Sequence, residues 1–332
     1  MPEFRKDPLV ERWVIIASER AKRPRDTPER DSNAALGGCP FCVGNERMTP
    51  PPVLVLADDN VQPDEANWLV RVVPNKYPAL IDQAVWDERT GAPYSSMEGA
   101  GAHEVVIESP RHVINMAALS VTEIELVLHA YRRRLLFWRG AGRWRYALIY
   151  KNQGVEAGAT LAHGHSQITA LPMVPKEALE EIEAGKKYFA SAGRCAYCDM
   201  ALRESEIGAR VVAENDRFIV FCPFASRVAG ETWVVPKRHL SCFESGSKED
   251  FLALARSLRE TLIRLNRRFY EPPFNYFLHN NPLSEPANDY YHWHLEILPR
   301  RQQFAGFELG SGCYMNPLAP EEAARLLRDA VL

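Results

Sequence analysis

Two Cys-x-x-Cys pairs and two His-x-His pairs are the residues in this 332-residue chain best suited to chemistry: Cys39/Cys42 with His163-Gly-His165, and Cys195/Cys198 with His292-Trp-His294. Two thiolates and two imidazoles make a tetrahedral Zn²⁺ set. Cys39, Cys42, His112 and His163 are therefore expected to hold a structural ion, with all four positions filled by protein and none open to water. The other use of such a pair, as a redox dithiol, wants a βαβ setting that CPFC lacks. The second half offers Cys195, Cys198, His239 and His292 by the same logic. A competing set, Glu181 with His279, His292 and His294, also needs His292, so the two cannot both be complete. The thiolate set is preferred, because its pair is pre-spaced as a chelate and soft ligands suit zinc. Cys222, Cys242 and Cys313 read as small buried apolar residues.

His165 is the histidine left over in the first HxH. In an extended segment residues i and i+2 share a face, so it would stand beside a metal-anchored His163 on a rigid support. An imidazole near neutral pKa is a competent nucleophile toward phosphorus. The loop NQGVEAGAT at 152–160 precedes the motif and holds two glycines. Its N–H groups are expected to help cradle phosphate oxygens.

The elements that must position these residues occur twice, in one order. A CxxC pair is followed by a strand ending in PRH or KRH (His112, His239), a helix, a strand, and HxH. From PRH or KRH to HxH is 51 residues in the first copy and 53 in the second. Shared order, motif type and spacing point to duplication. Ile124, Val127, Leu128, Tyr131, Leu135 and Trp138 recur at helical spacing after Ser120, a capping-box residue with Glu123; Phe251, Leu254, Leu258, Leu262 and Leu265 do so after Ser247, with Asp250. Arg132 to Arg134 are expected on the solvated face of the first helix. A third helical stretch, 176–190, bridges the copies, and the boundary is placed at residue 190, giving units 1–190 and 191–332. One long helix per copy among strands implies an α+β fold with mainly antiparallel sheets.

Composition sets the outer bounds. Hydrophobic residues at 46% and charged residues at 25% exclude a disordered chain, and at about 150 residues per domain the length suits two. A net charge of −3 argues against a protein held by nucleic-acid phosphates. No run approaches the ~18 apolar residues of a membrane span. The charged first thirty residues do not resemble a signal peptide, so a cytoplasmic protein is expected.

At RWVIIASERAKRPR, CPFC, RVVPNKYPAL, HGHSQ and FAGFELGSGCYMNP the chain resembles the galactose-1-phosphate uridylyltransferase family of the histidine-triad superfamily, over nearly its whole length. The last segment and the two CxxC patterns are most similar to the branch that includes plant ADP-glucose phosphorylase. The resemblance implies a duplicated histidine-triad fold, each copy an antiparallel half-barrel sheet with helices packed outside, and a homodimer. It implies that His165 is the residue that becomes nucleotidylated, and that Gln167 hydrogen-bonds the phosphoryl group. It further implies that Arg20 and Arg23 contact phosphate, that Asn75, Asn152 and Thr160 contact nucleotide or phosphate, and that Glu308 contacts a sugar hydroxyl. Cys39, Cys42, His112 and His163 match zinc ligands. The family's usual HPH is HGH here, and Gln302 and Tyr314 stand beside the sugar pocket where a Lys and a Gln are usual.

Gln167 narrows the chemistry. An amide cannot act as a general acid or base, but it can donate to a non-bridging phosphoryl oxygen. That suits transfer between phosphates, where the leaving sugar phosphate departs without strong proton assistance. The expected path is double displacement, with a nucleoside diphosphate sugar as donor and a sugar 1-phosphate as acceptor, as in galactose-1-phosphate uridylyltransfer. The alternative acceptor is inorganic phosphate, with ADP-glucose as donor. A reading of another class, a zinc-stapled binding module, predicts no covalent intermediate. The second copy reads HWHLE, with Glu296 in the place of Gln167 and bulky Trp293 in the place of Gly164, so only the first is expected to be catalytic.

Overall fold

The computed structural model describes residues 2–10, 12–18, 38–57, 67–82 and 87–330. Arg20 and Arg23 lie outside the described residues. A small antiparallel sheet holds β1 (Glu3–Lys6), β2 (Trp13–Ile16), β5 (Arg89–Gly91) and β6 (Tyr94–Glu98) in the order β2-β1-β6-β5. Phe4 and Met97 from it pack on Tyr146 and Leu171 of the main sheet.

The main sheet takes five strands from each half. The first half supplies β3 (Leu54–Leu56), β4 (Val70–Pro74), β7 (Ala102–Ile107), β8 (Tyr146–Gln153) and β9 (His165–Leu171). The second supplies β10 (Val211–Glu214), β11 (Phe218–Phe221), β12 (Thr232–Pro236), β13 (Phe274–His279) and β14 (His294–Pro299). The order is β10-β11-β12-β14-β13-β8-β9-β7-β4-β3, every pair antiparallel, and it mirrors itself about the β13/β8 junction. Tyr150 opposes Gln167 and Phe277 opposes Glu296, so Tyr150 and Phe277 are counterparts; they also oppose each other where the halves meet. A local two-fold axis passes through that pair. The architecture is α+β with antiparallel sheets, as expected, and the two half-barrel sheets are joined edge to edge.

Each half lays one long helix over the same face of the sheet. These are α1 (Val121–Ala141) and α4 (Lys248–Phe269), and they pack against each other. Both begin at a complete capping box, Ser120 with Glu123 and Ser247 with Asp250, which satisfies amides that no helical turn can. Their apolar stripes meet Val106, Ile149 and Ile168 from one half and Val234, Leu295 and Ile297 from the other, so one hydrophobic core runs through both. The bridge between the halves is α2 (Lys176–Ala192), closed by Gly193 in the left-handed conformation. It is followed by α3 (Ala196–Ile207), whose first turn carries Cys198. Two shorter helices, α5 (Gly306–Ser311) and α6 (Pro320–Arg328), end the described chain. Among the described residues no helix is long and apolar enough to cross a membrane.

Two expectations are corrected here. Arg134 does not belong to a solvated face: it is buried under the sheet, bonded through Nε and Nη2 to both carboxylate oxygens of Glu104 at 2.8 and 2.6 Å. A guanidinium fork matched to a carboxylate is what lets such a charge leave water. Arg132 donates to the Glu244 carbonyl, and only Arg133 of the three is exposed. Cys222 and Cys242 are buried, but Cys313 is exposed on the turn after α5.

Ser247→Ala removes the hydroxyl that accepts from Asp250 N–H at 3.2 Å. It is expected to lower the stability of the chain by about 1 kcal/mol, read as a lower urea midpoint with an unchanged slope.

Candidate active site and metal centres

The backbone of β9 begins at His165, and its partner β7 places Ile107 opposite. Strand alternation puts His165, Gln167 and Tyr150 on one face of the sheet and Ser166, Lys151 and Glu104 on the other, toward α1. His165 is buried and its Nδ1–H donates to the carbonyl of His163 at 2.8 Å. That bond fixes the tautomer and leaves Nε2 as the basic nitrogen. Two residues on, Gln167 Oε1 accepts from His103 Nε2 at 2.8 Å and from the Tyr150 hydroxyl at 3.2 Å. Ala79 N–H donates to His103 Nδ1 at 3.1 Å, which assigns the proton to Nε2. With its carbonyl oxygen held twice, the Gln167 amide presents its NH₂ as the group left for a phosphoryl oxygen. His103 and Tyr150 were missed in the sequence. The signal was there in principle, because His103 lies two residues before Val105, the register partner of Gln167, on the same face.

Cys39, Cys42, His112 and His163 converge, with their four donor atoms within 4.8 Å of one another. Cys39 Sγ lies 3.5 Å from His163 Nδ1, and Cys42 Sγ lies 3.3 Å from His112 Nδ1. A tetrahedral zinc with ordinary Zn–S and Zn–N bonds would set these edges at ~3.5 Å. His163 Nε2–H donates to the Ser109 carbonyl at 2.9 Å, which turns Nδ1 toward the sulfurs. Burial pushes the His163 pKa down to about 4, so the ring is neutral and can ligate. The four donors therefore fit a zinc ion. Between the two cysteines, Phe41 lies edge-on against His165, ring centres 5.3 Å apart, and against His163 at 5.9 Å. The CPFC turn thus packs on His165 as well as supplying two of the four donors.

In the second half Cys195, Cys198, His239 and His292 also lie within 4.8 Å of one another. Cys198 Sγ is 3.4 Å from His239 Nδ1 and 3.5 Å from His292 Nδ1, and His239 Nε2–H donates to the Asn288 carbonyl at 2.9 Å. The competition for His292 disappears: Glu181, His279 and His294 are joined by Glu296, with His292 in the thiolate group. That carboxylate–imidazole cluster carries its own counter-charge. Arg227 bonds Glu296 and also Glu231, at 2.6 Å, while His279 Nδ1 meets Glu181 at 2.8 Å. Burial alone would raise Glu296, but His294, His279 and Arg227 face it and hold it down to about 2.

His294, the counterpart of His165, is fully buried between Trp233 and Tyr197, ring centres 4.9 and 4.8 Å away, and its Nε2 meets Glu296 at 3.2 Å. No phosphate can reach it. The repulsion expected from Glu296 is offset by Arg227, so burial, more than charge, closes this copy.

The remaining sequence candidates fall at three distances from His165 in the bonding pattern. Asn75 places its amide nitrogen 3.2 Å from His103 Nε2, inside the network that holds Gln167. Asn152 is on the site face next to Tyr150's strand neighbour, its Oδ1 bonded by Asn275 at 2.8 Å, and Thr160 ends the loop that follows. Within that loop the N–H groups of Ala157, Gly158 and Ala159 bond to Gly154 and Val155 carbonyls, so these three are spent on the turn and do not face a phosphate. Gly154 takes φ +87°, and a Cβ there would stand 2.8 Å from Pro273. Glu308 lies on α5 and accepts from Ala305 N–H at 3.0 Å. Among the described residues no hydrogen bond joins it to the His165 strand.

The family model for the galactose-1-phosphate uridyl transferase N-terminal domain matches residues 1–175. The chain belongs to the galactose-1-phosphate uridylyltransferase family. It is 35% identical to the ADP-glucose phosphorylase of Arabidopsis thaliana, covering 100% of this chain and 93% of that protein. It is 29% identical to a galactose-1-phosphate uridylyltransferase of Thermotoga maritima, covering 99% and 98%. Among solved structures, that of the Arabidopsis thaliana ADP-glucose phosphorylase with bound ADP-glucose superposes with a TM-score of 0.79, at 35% identity and with 100% and 99% coverage. A uridylyltransferase superposes with a TM-score of 0.81, at 28% identity and with 99% and 98% coverage.

Elemental analysis of the purified protein is expected to find close to two zinc ions per chain. Cys39→Ser is expected to lose one of them and to unfold at lower temperature, because binding a structural ion is coupled to folding. The Cys195→Ser, Cys198→Ser double variant is expected to lose the other; a second ion retained in it would assign that metal to the Glu181 cluster.

Proposed function

We propose that the protein is a hexose-1-phosphate nucleotidyltransferase working by double displacement at His165. The observation that carries this reading is the pair His165 and Gln167 on one strand, the imidazole tied through Nδ1 and the amide tied through Oε1. His165 Nε2 attacks the α-phosphorus of a nucleoside diphosphate sugar, the P–O bond to the sugar phosphate breaks, and sugar 1-phosphate leaves. A second phosphate then attacks the nucleotidyl-histidine and restores the imidazole. The Gln167 NH₂ donates to a non-bridging oxygen in both steps, where negative charge builds. No acid or base is needed at that position.

In this reading Arg20 and Arg23 contact phosphate, Asn75, Asn152 and Thr160 contact nucleotide or phosphate, and Glu308 contacts the sugar. The two Cys₂His₂ groups hold structural zinc, take no part in the transfer, and keep CPFC and HGH together. The units 1–190 and 191–332 are copies of one ancestral half, the working form is a homodimer, and the protein acts in the cytoplasm on small nucleotide sugars with no nucleic acid or membrane partner.

The acceptor reading we carry is a hexose 1-phosphate with UDP-glucose as donor, as the family and its uridylyltransferase relatives suggest. The second reading, ADP-glucose with inorganic phosphate, is favoured by one specific observation, the 35% identity over the full chain to the Arabidopsis thaliana phosphorylase. Incubation with UDP-glucose and ADP-glucose in parallel, without acceptor, is expected to add one nucleoside monophosphate to the intact mass, in an acid-labile bond at His165. The donor that labels faster identifies the base. The acceptor that discharges the label, hexose 1-phosphate or inorganic phosphate, identifies the reaction. Absence of an adduct from both donors, with turnover surviving loss of His165, would overturn the double-displacement reading, and absence of both adduct and turnover would return the chain to the binding-module reading.

His165→Ala is expected to lose nearly all turnover, and His294→Ala to keep most of it while losing stability from the cavity left between Trp233 and Tyr197. Gln167→Ala is expected still to label, slower by roughly 10²–10³-fold. Equal losses from His165→Ala and His294→Ala would refute a single nucleophile.

A further inference from the structure

The duplication supplies an internal comparison for the layer beneath the nucleophile. On the face turned toward α1, Lys151 and Glu108 form an ion pair at 2.7 Å, each side chain 1% exposed. The Lys151 ammonium also donates to the backbone carbonyl of His165 at 3.2 Å. Beside them the Tyr131 hydroxyl donates to Ser166 Oγ at 2.6 Å. The register pairs Lys151 with Ser166 and Leu278 with Leu295, and the helix caps equate Tyr131 with Leu258. Counting along β7 and β12 from the counterparts Val105 and Trp233 equates Glu108 with Pro236. Lys151, Glu108, Tyr131 and Ser166 are thus each leucine or proline in the half whose histidine is sealed off, and that half adds only the Tyr276 hydroxyl, bonded to Tyr131.

The fold does not need the ion pair, since the second half is built without it. A buried pair rarely stabilises a chain more than apolar residues of similar size would. Gly164 belongs to the same device: a Cβ there would stand 3.3 Å from Glu108 Oε2 and 2.8 Å from the Val113 carbonyl. Its counterpart Trp293 packs on Phe243 and Phe218 instead. A second buried pair of the first half, Arg134 with Glu104, has threonine counterparts and bonds to nothing on the nucleophile's backbone.

We propose that Lys151, held by Glu108 in the room that Gly164 leaves, is a positioning residue for His165. It grips the nucleophile's own carbonyl from below, while the His163 carbonyl grips the ring through Nδ1. The imidazole is thereby held on line with the phosphorus by two backbone bonds on either side of its Cα. This rests on the double-displacement reading above.

The test is the first-order rate at which the whole protein forms its nucleotidyl adduct, by rapid quench and intact mass, with ADP-glucose and UDP-glucose as donors. Lys151→Met alone strands a buried carboxylate, so the variant used is Lys151→Met with Glu108→Gln, which removes both charges at nearly constant volume. It is expected to keep the metal content, and the donor concentration giving half the maximal rate, while the maximal rate falls by about 10- to 100-fold, the scale of an ångström's misplacement. Arg134→Met with Glu104→Gln removes another buried pair and is expected to leave the rate unchanged. Should the first double variant fail to fold, Glu108→Gln alone loosens the ammonium without changing shape and is expected to slow adduct formation by about 3- to 10-fold. A wild-type rate in the variant that folds, or an equal loss in the Arg134/Glu104 control, overturns the proposal. No adduct in the wild-type protein with either donor overturns the double-displacement reading instead.

Discussion

An imidazole has two nitrogens, and much of this structure follows from how firmly one nitrogen of His165 is held. His165 spends Nδ1 on the carbonyl of His163, two residues back on the same strand. The bond is only as rigid as His163, and His163 is held from its far side by the Ser109 carbonyl and on its near side by the sulfurs of Cys39 and Cys42. The CPFC turn that carries those sulfurs also lays Phe41 against the His165 ring. Thiolate and imidazole donors, aromatic buttress and backbone acceptor therefore form one chain of constraints ending at Nδ1.

Gln167 is treated the same way. His103 and Tyr150 occupy its oxygen, and Ala79 fixes the proton on His103. An unrestrained amide would present either end to a phosphate, and only one end donates. In the proposed double displacement, orienting it in advance means that no reorganisation is required as charge develops on the phosphoryl oxygens.

The second half shows the same backbone carrying different side chains around its second HxH histidine. The strand order, the capped helix and the four-donor cluster are all repeated. Where the first half has a glycine it has an indole, where the first has Phe41 and Val105 it has Tyr197 and Trp233 packed on the ring of His294, and its carboxylates are matched to Arg227 and histidines. The halves also complete each other, because Tyr276 of the second reaches the Tyr131 hydroxyl of the first and Asn275 holds Asn152. Joining the two sheets at β8 and β13 is what brings these side chains across.

Much of this was legible in the amino-acid sequence, because it depends on spacing along the chain. CxxC and HxH pairs are local chelates, capping boxes are three residues long, helical stripes repeat every turn, and the duplication is a shared order of such signals. From these come the fold class, both thiolate–imidazole groups and the residue most suited to attack phosphorus. The tertiary structure alone decided what depends on register between distant strands. His103 meets Gln167 across 64 residues and Lys151 meets Glu108 across 43. The partner of His292 among competing donors, the burial of Arg134 in a run of arginines, and the fusion of two sheets into one were settled in the same way. Residues that act together without being neighbours carry no common spacing, and only a strand pairing, which shifts every side chain to the other face if it slips by one, makes them meet.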